Sequence, residues 1–282
     1  MNQAESLEEW EGIGVVDLRR RWRIPLLHIR RSTASTNDDA ARLAEQGAAA
    51  GATVIAEGQT AGRGRRGRGW SSPPMRSILM SIVFRSRRHE DASTMPLRIG
   101  LGAIRALHAA TRLDVRIKWP NDIVLTDGAK VGGILCEGAT KGRSAWLVAG
   151  IGINVLQTAA ELEPALRGLA SSVALAGGTP DRFAIVQALL DELRPFRIMG
   201  PPLRPDELDE LDRFDALRGH RITVDGKPAG LAAGIAADGS LAVDAGGTRL
   251  FVRTGTIRID TGTARGDPRT EASLQTRAEP AS

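Results

Sequence analysis

The chain is poor in the residues that carry several common chemistries. It has one cysteine, Cys136, in 282 residues, so no internal disulfide can form. Its place between Leu135 and Glu137 in a strand-like run suits a small core residue. Only four histidines are present and they are scattered, with no Cys/His spacing that would hold zinc and no Ser/His or Cys/His constellation that would activate a nucleophile. No run approaches the roughly 18 apolar residues of a membrane span. The N-terminus carries Glu5, Glu8, Glu9 and Glu11 in place of a basic region followed by an apolar stretch, so it does not read as a signal peptide. A soluble cytoplasmic protein is the expectation.

What is present is ordinary in bulk and unusual in one place. Apolar residues make up 42% and charged residues 25%, as in soluble proteins with a packed core. The length suffices for one large domain plus a smaller one. The net charge of +5 is modest, and much of it sits in the block Gly62-Arg63-Gly64-Arg65-Arg66-Gly67-Arg68-Gly69-Trp70. Glycines let a backbone approach a ligand closely, and guanidiniums suit phosphates and carboxylates. The block follows the apolar run Thr53-Val54-Ile55-Ala56-Glu57, where a ligand loop is expected at the end of a strand. Its literal G-x-G-x-x-G is not a dinucleotide fingerprint, because Trp70-Ser71-Ser72-Pro73-Pro74 opens no helix. A solvated loop, or an arginine-glycine patch binding RNA, would fit the block taken alone.

Periodicity predicts an α+β fold. A helix is expected from Thr36 as cap, with Asp39 completing a capping box, to Gly47. Strands are expected at 52–57, 78–84, 114–119, 123–125, 130–137 and 146–155, with helices at 96–111, 181–194 and 205–217. After Gly219 short strands at 222–224, 230–235, 241–243 and 250–252, with turns Asp225-Gly226 and Asp238-Gly239, predict a small barrel-like β-module. The expected organisation is a leader over 1–22 with one helical turn, a catalytic domain over 23–217, the β-module over 218–260 and a disordered tail over 261–282.

Three further motifs bear on chemistry. Lys118-Trp119-Pro120-Asn121-Asp122 ends a buried-looking strand with a charge, costly if unpaired, although Asn and Asp there also suit a plain hairpin corner. Lys130-Val131-Gly132-Gly133-Ile134-Leu135 sets a lysine beside strand glycines, which mark a bulge or the close approach of another group. Gly150-Ile151-Gly152-Ile153-Asn154 repeats that pattern with an amide. Together they describe a thin-faced sheet with cations and amides, suited to a small ligand carrying phosphate.

In this order, Ser35-Thr36-Asn37, Gln59 through Trp70, Lys118 through Asp122, Lys130 through Leu135 and Gly150 through Asn154 resemble the biotin protein ligases, over about 30–260. The resemblance implies a mixed-sheet catalytic domain of the biotin/lipoate ligase type with a C-terminal SH3-like β-barrel. It implies ATP-dependent formation of biotinyl-5′-AMP and transfer of biotin to a lysine of a biotin carboxyl carrier domain, with biotin and ATP as substrates and Mg2+ alongside the ATP. Carried over by motif, Ser35, Thr36, Asn37, Gln59, Arg63, Gly64, Arg65 and Lys130 would contact biotin. Arg66, Arg68, Trp70, Lys118, Asn121, Asp122 and Asn154 would contact the nucleotide. Lys130, Lys118 and Arg65 would carry the catalysis, with no protein-held metal. About thirty residues precede Ser35, too few for the winged helix-turn-helix of the repressor variant, so no specific DNA and no membrane are expected as partners. A homodimer stays open. Lipoate ligase chemistry is the nearest rival reading.

Overall fold

In the computed structural model the described residues are 5–86, 92–141, 144–194 and 196–260. Glu9–Trp10 (β1) and Ile13–Gly14 (β2) form a small hairpin that leads into Val15–Trp22 (α1). Leu27–Arg30 (β3), Thr36–Glu45 (α2), Thr53–Ala56 (β4), Ser77–Ser86 (β5) and Met95–Thr111 (α3) follow. Val115–Lys118 (β6), Asp122–Leu125 (β7), Lys130–Lys141 (β8) and Ser144–Asn154 (β9) make an antiparallel run, then come Arg182–Glu192 (α4) and Pro205–Phe214 (α5). The seven-stranded sheet has the order β3-β4-β5-β9-β8-β7-β6, with β3 and β4 parallel and the other neighbours antiparallel. The mixed sheet with its few helices is the expected α+β class.

Strand alternation divides the sheet into two faces. Ile78, Met80, Ile82 and Phe84 of β5 and Ile151 and Ile153 of β9 point into the main core, shared with α3 and α4. On the other face Val83 and Val148 pack with Val54 and with Ala40 and Ala44 of α2 in a small cluster of mostly short side chains. The same face continues along β9 as Gly150, Gly152 and Asn154. Covered at one end by α2 and thinned by glycine beyond it, this face is where a ligand can lie.

Arg221–Val224 (β10), Lys227–Ile235 (β11), Leu241–Ala245 (β12), Thr248–Val252 (β13) and Ile257–Ile259 (β14) form a second, antiparallel sheet of order β13-β12-β11-β10-β14. This is the small SH3-like module. It joins the first unit directly: Ile222, Leu241, Val243 and Ile257 belong to the same core cluster, and the Trp119 indole Nε1 donates to the Gly239 carbonyl at 2.9 Å.

Several expectations need correction. Within 1–22, where a single helical turn was expected, α1 runs for 8 residues, and Trp10, Leu18 and Trp22 are buried in the core. Arg182 holds this segment in place, donating from Nε to Glu11 at 2.6 Å and from Nη1 to Glu57 at 2.6 Å. The α2 cap is Ser35, without a side-chain bond, and the Asp39 carboxylate completes no box. It is buried against Arg30, 3.5 Å away, and Arg42. Strands β1, β2, β3 and β14 lay outside the predicted set. The expected tail, 261–282, lies outside the described residues. Among the described residues no helix is long and apolar enough to cross a membrane. Cys136, expected as a small core residue, is half-buried against the core, and burial, with a smaller push from Glu137, raises its thiol to about 12.

Candidate active site

The arginine block leaves β4 and folds on itself. Trp70 N–H donates to the Gly62 carbonyl at 2.9 Å and Gly64 N–H to the Arg68 carbonyl at 2.7 Å, making a narrow hairpin with a 3-10 turn over Arg65–Gly67 at its tip. The tip leans on the C-terminal sheet. Arg66 donates to Asp225 at 2.5 Å and Arg68 to the Thr256 hydroxyl at 2.9 Å. The Arg66 hydrogen bond, joined by the Thr256 N–H, draws the Asp225 carboxyl down to about 2. At the stem, Arg63 pairs with Asp38 through both terminal nitrogens, at 2.8 and 2.6 Å. Arg65 is different. It makes no ion pair among the described residues, and its nearest polar partner is Asn121 Oδ1 at 3.5 Å. Burial and then neighbouring Arg66 lower its pKa, and the opposite charge of a bound anion would offset both.

Beneath the loop, α2 supplies a polar floor. Gln59 Oε1 accepts from the Thr36 N–H at 2.8 Å and the Thr36 hydroxyl at 3.0 Å. The Ser81 hydroxyl lies 2.8 Å from Thr36 Oγ1 and 2.7 Å from Asn37 Oδ1, and its single proton serves one of them at a time. Asn37 Nδ2 donates to Glu137 at 2.6 Å. Thr36, Asn37 and Ser81 are buried and Gln59 is half-buried, so these bonds fix rotamers in a way that solvent-exposed polar groups would not.

The other end is built by the β6–β7 corner and β8. Lys118 ends β6 half-buried. Burial lowers its pKa most, Asp122 pushes it back up, and Lys130 and Arg258 lower it further. Lys130 Nζ reaches Asp122 Oδ1 at 2.6 Å and stands 5.5 Å from the centre of the Trp70 ring. Asn121 Nδ2 donates to the Ile134 carbonyl at 2.6 Å, which turns its oxygen toward Arg65. Two glycines of β9 are required by close approach. A Cβ on Gly150 would collide with the Asn37 carboxamide, and one on Gly152 would lie 2.7 Å from the Trp70 ring. The Trp70 Nε1 is buried with no partner among the described residues.

Loop, floor and corner enclose one cavity of about 740 Å³, large enough for a nucleotide-sized adduct. Every residue singled out from sequence lines it: Ser35, Thr36, Asn37, Gln59, Arg63, Gly64, Arg65, Arg66, Arg68, Trp70, Lys118, Asn121, Asp122, Lys130 and Asn154. The lining carries six further cations besides Lys118, namely the four loop arginines, Lys130 and Arg258, and Asp122 is the only carboxylate. Arg63 and Arg66 are paired with carboxylates just outside the lining, which leaves Arg65, Arg68, Lys118, Lys130 and Arg258 against Asp122, an excess of positive charge that suits a polyanion. Asn154 is already committed: its Nδ2 donates to the Ser171 carbonyl at 3.0 Å and its Oδ1 accepts from Gln157 at 3.0 Å. Sequence reasoning missed Asp38, Ser81, Glu137, Asp225, Thr256 and Arg258. For Glu137 a signal existed, since Gly133, Leu135 and Glu137 share one face of β8 by alternation.

Residues 29–154 match the biotin/lipoate A/B protein ligase family. The biotin–acetyl-CoA-carboxylase ligase of Mycobacterium tuberculosis is 33% identical over 241 residues, 82% of this chain and 88% of that protein. Among solved structures, the Aquifex aeolicus biotin protein ligase in complex with biotin and ATP is 24% identical, with a TM-score of 0.69 over 84% of this chain and 100% of that one. The Leishmania major ligase in complex with biotinyl-5-AMP is 26% identical, with a TM-score of 0.54 over 81% and 98% of the two chains. Motifs, fold, cavity and relatives agree: the chain belongs to the biotin/lipoate A/B protein ligase family, with the biotin–acetyl-CoA-carboxylase ligases.

Proposed function

We propose that this cavity performs ATP-dependent biotin ligation. A biotin carboxylate oxygen attacks the α-phosphorus of ATP, the bond to the β-phosphate bridge oxygen breaks, and pyrophosphate leaves. A lysine amine of a biotin carboxyl carrier domain then attacks the acyl carbon of biotinyl-5′-AMP, a proton is lost from nitrogen, and AMP leaves. The observation that carries this reading is the Lys118–Asp122–Lys130 cluster set beside Arg65. Bringing a carboxylate onto a phosphate joins two anions, and fixed cations in a sheltered site offset that repulsion without a side-chain nucleophile.

In this reading Ser35, Thr36, Asn37, Gln59 and Gly64 shape the biotin end, with Arg63 held beside them by Asp38 and Glu137. Lys130 stands at the junction with the carboxylate, and Lys118 and Arg65 face the phosphates. Trp70 covers β9 at the adenine end, with Arg66, Arg68, Asn121 and Asn154 around the nucleotide. No group of three His, Cys, Asp or Glu side chains able to hold a metal occurs among the described residues. A lone Asp122 beside phosphates suits Mg2+ entering as Mg–ATP, because Mg2+ keeps waters and phosphate oxygens and needs few protein carboxylates. The acyl acceptor is a carboxylase's carrier domain, and the compartment is the cytoplasm. The test is biotin-dependent exchange of labelled pyrophosphate into ATP, with lipoate as the paired control. Exchange with biotin alone is expected. Exchange with lipoate alone would change the substrate, and exchange with neither would end the ligase reading.

A further inference from the structure

The four arginines of the loop have different partners, and the difference assigns one of them a task that is not ligand binding. Arg66 and Arg68 sit at the tip, and Arg65 has no carboxylate partner among the described residues. Arg63 lies at the stem, next to the Gly62–Trp70 hydrogen bond that closes the hairpin. Its guanidinium is held by Asp38 at 2.6 and 2.8 Å and by Glu137 at 3.2 and 3.5 Å. Asp38 belongs to the first turn of α2, where the positive end of the helix dipole favours a carboxylate. Glu137 belongs to β8 and also takes the Asn37 amide at 2.6 Å, so one carboxylate touches both the cavity floor and the loop above it. Two carboxylates around one guanidinium neutralise Arg63 locally, which leaves it a poor ligand for a substrate anion. The geometry matches a bidentate Arg–carboxylate fork, the arrangement with the strongest directional preference.

We infer that Asp38 and Glu137 are positioning residues: by gripping Arg63 they hold the Gly62–Trp70 hairpin down over the cavity and set how long the acyl-adenylate is retained. The identity of that adenylate rests on the reading given under Proposed function, whereas the grip rests on the contacts alone. A reactive acyl-adenylate that escapes is hydrolysed or labels proteins at random, so residence under the loop decides whether biotin reaches its carrier. The partners are 37%, 40% and 42% exposed at Arg63, Asp38 and Glu137. A grip of this kind is therefore of moderate strength and screened by salt.

The loop is rich in arginine, so trypsin reads its opening without reference to activity. Wild type, Asp38→Asn, Glu137→Gln and the double variant, all as full chains, are compared for the initial rate of cleavage within 63–68 and for melting temperature. Loop cleavage is expected to rise about threefold in each single variant and about tenfold in the double variant, the size of effect that exposed but well-formed pairs support, with melting temperatures unchanged. High salt moves wild type toward the double variant, and Asp38→Glu restores most of the protection. In a second arm, biotinyl-AMP retained on the enzyme after rapid gel filtration falls by similar factors, and KM for biotin rises while kcat for pyrophosphate exchange holds. Equal loop cleavage in wild type and the double variant overturns the inference, as does faster cleavage with wild-type retention and KM. Faster cleavage in a chain whose wild type makes no biotinyl-AMP would instead sink the ligase reading and leave the grip on Arg63 standing.

Discussion

Adding one methyl group at Gly152 would separate the two ends of the cavity. An alanine Cβ there would sit 2.7, 2.8 and 3.2 Å from three carbons of the Trp70 ring, whereas carbon atoms rest at about 3.5–4.0 Å. The strand cannot yield, because β9 is paired on both sides along its length, so the ring must retreat by roughly 1 Å. A misplacement of that size in a positioned site costs up to about 100-fold in rate. Stability should fall by no more than about 1 kcal/mol, at or below the low end of core overpacking, because Trp70 is a half-exposed loop residue. Gly150→Ala is the matched partner: it presses on Asn37, whose amide is pinned by Glu137 and by the Leu135 carbonyl. Initial rates of pyrophosphate exchange, titrated separately in ATP and in biotin, read the outcome. Gly152→Ala should raise KM for ATP at least tenfold and leave that for biotin near wild type, and Gly150→Ala should do the reverse. A wild-type KM for ATP in Gly152→Ala, or the same substrate affected by both variants, would refute the division of the cavity at β9.

Other variants test separate parts of the argument. Lys118→Met removes a cation whose charged form burial disfavours, so pyrophosphate exchange should drop more than about 100-fold while thermal stability holds or rises; a stability loss with retained exchange would make Lys118 structural. Arg98→Leu removes the buried partner of the Glu207 carboxylate, which is 7% exposed and bonded to Arg98 at 2.9 and 3.0 Å; the Arg204 N–H at 2.8 Å and guanidinium at 3.2 Å remain, so urea denaturation should show a loss of about 3 kcal/mol, the low end for breaking a buried pair. A loss below about 1 kcal/mol would mean that the pair is not desolvated. Asp215 has its pKa raised, chiefly by burial. The native state therefore holds its proton more tightly than the unfolded chain, and the associated stability is full below the ordinary carboxyl value of 3.8 and is lost as pH rises through the raised value. Asp215→Asn should flatten that part of the stability–pH curve measured by urea titration, and an unchanged slope would remove Asp215 as its source.

How far the sequence was legible depends on the distance over which the determining contacts act. The strands of the main sheet and the helix α3 follow from local alternation and helical spacing. Strand β3 does not, because Leu27-His28-Ile29-Arg30 spans four residues and is fixed by parallel pairing with β4 rather than by its own pattern. The N-terminal helix reads as a weak turn locally and is stabilised by burial of Trp22 and by a clamp from Arg182, 171 positions away from Glu11. In the site, motif residues were legible because glycine, lysine and arginine are costly where they stand unless something uses them. Their partners were not. Asp225 and Thr256 are 159 and 188 residues from the arginines they hold, and an aspartate on a hairpin turn looks like any other turn aspartate. Thr36 shows the reverse error: it fits a helix cap locally, but its hydroxyl is turned to Gln59 by the strand geometry.

The walls of the cavity come from both ends of the chain. Residues 255–259 of the C-terminal sheet line it together with the arginine loop, and the loop tip is moored on Asp225 and Thr256. The small sheet is thus one wall of the site rather than an appendage. Exchanging it for that of a relative would preserve the site only if the graft brought a carboxylate and a hydroxyl to those two moorings. A catalytic unit expressed without it would lose that wall and both moorings of the loop tip, opening the site to water at residues 255–259.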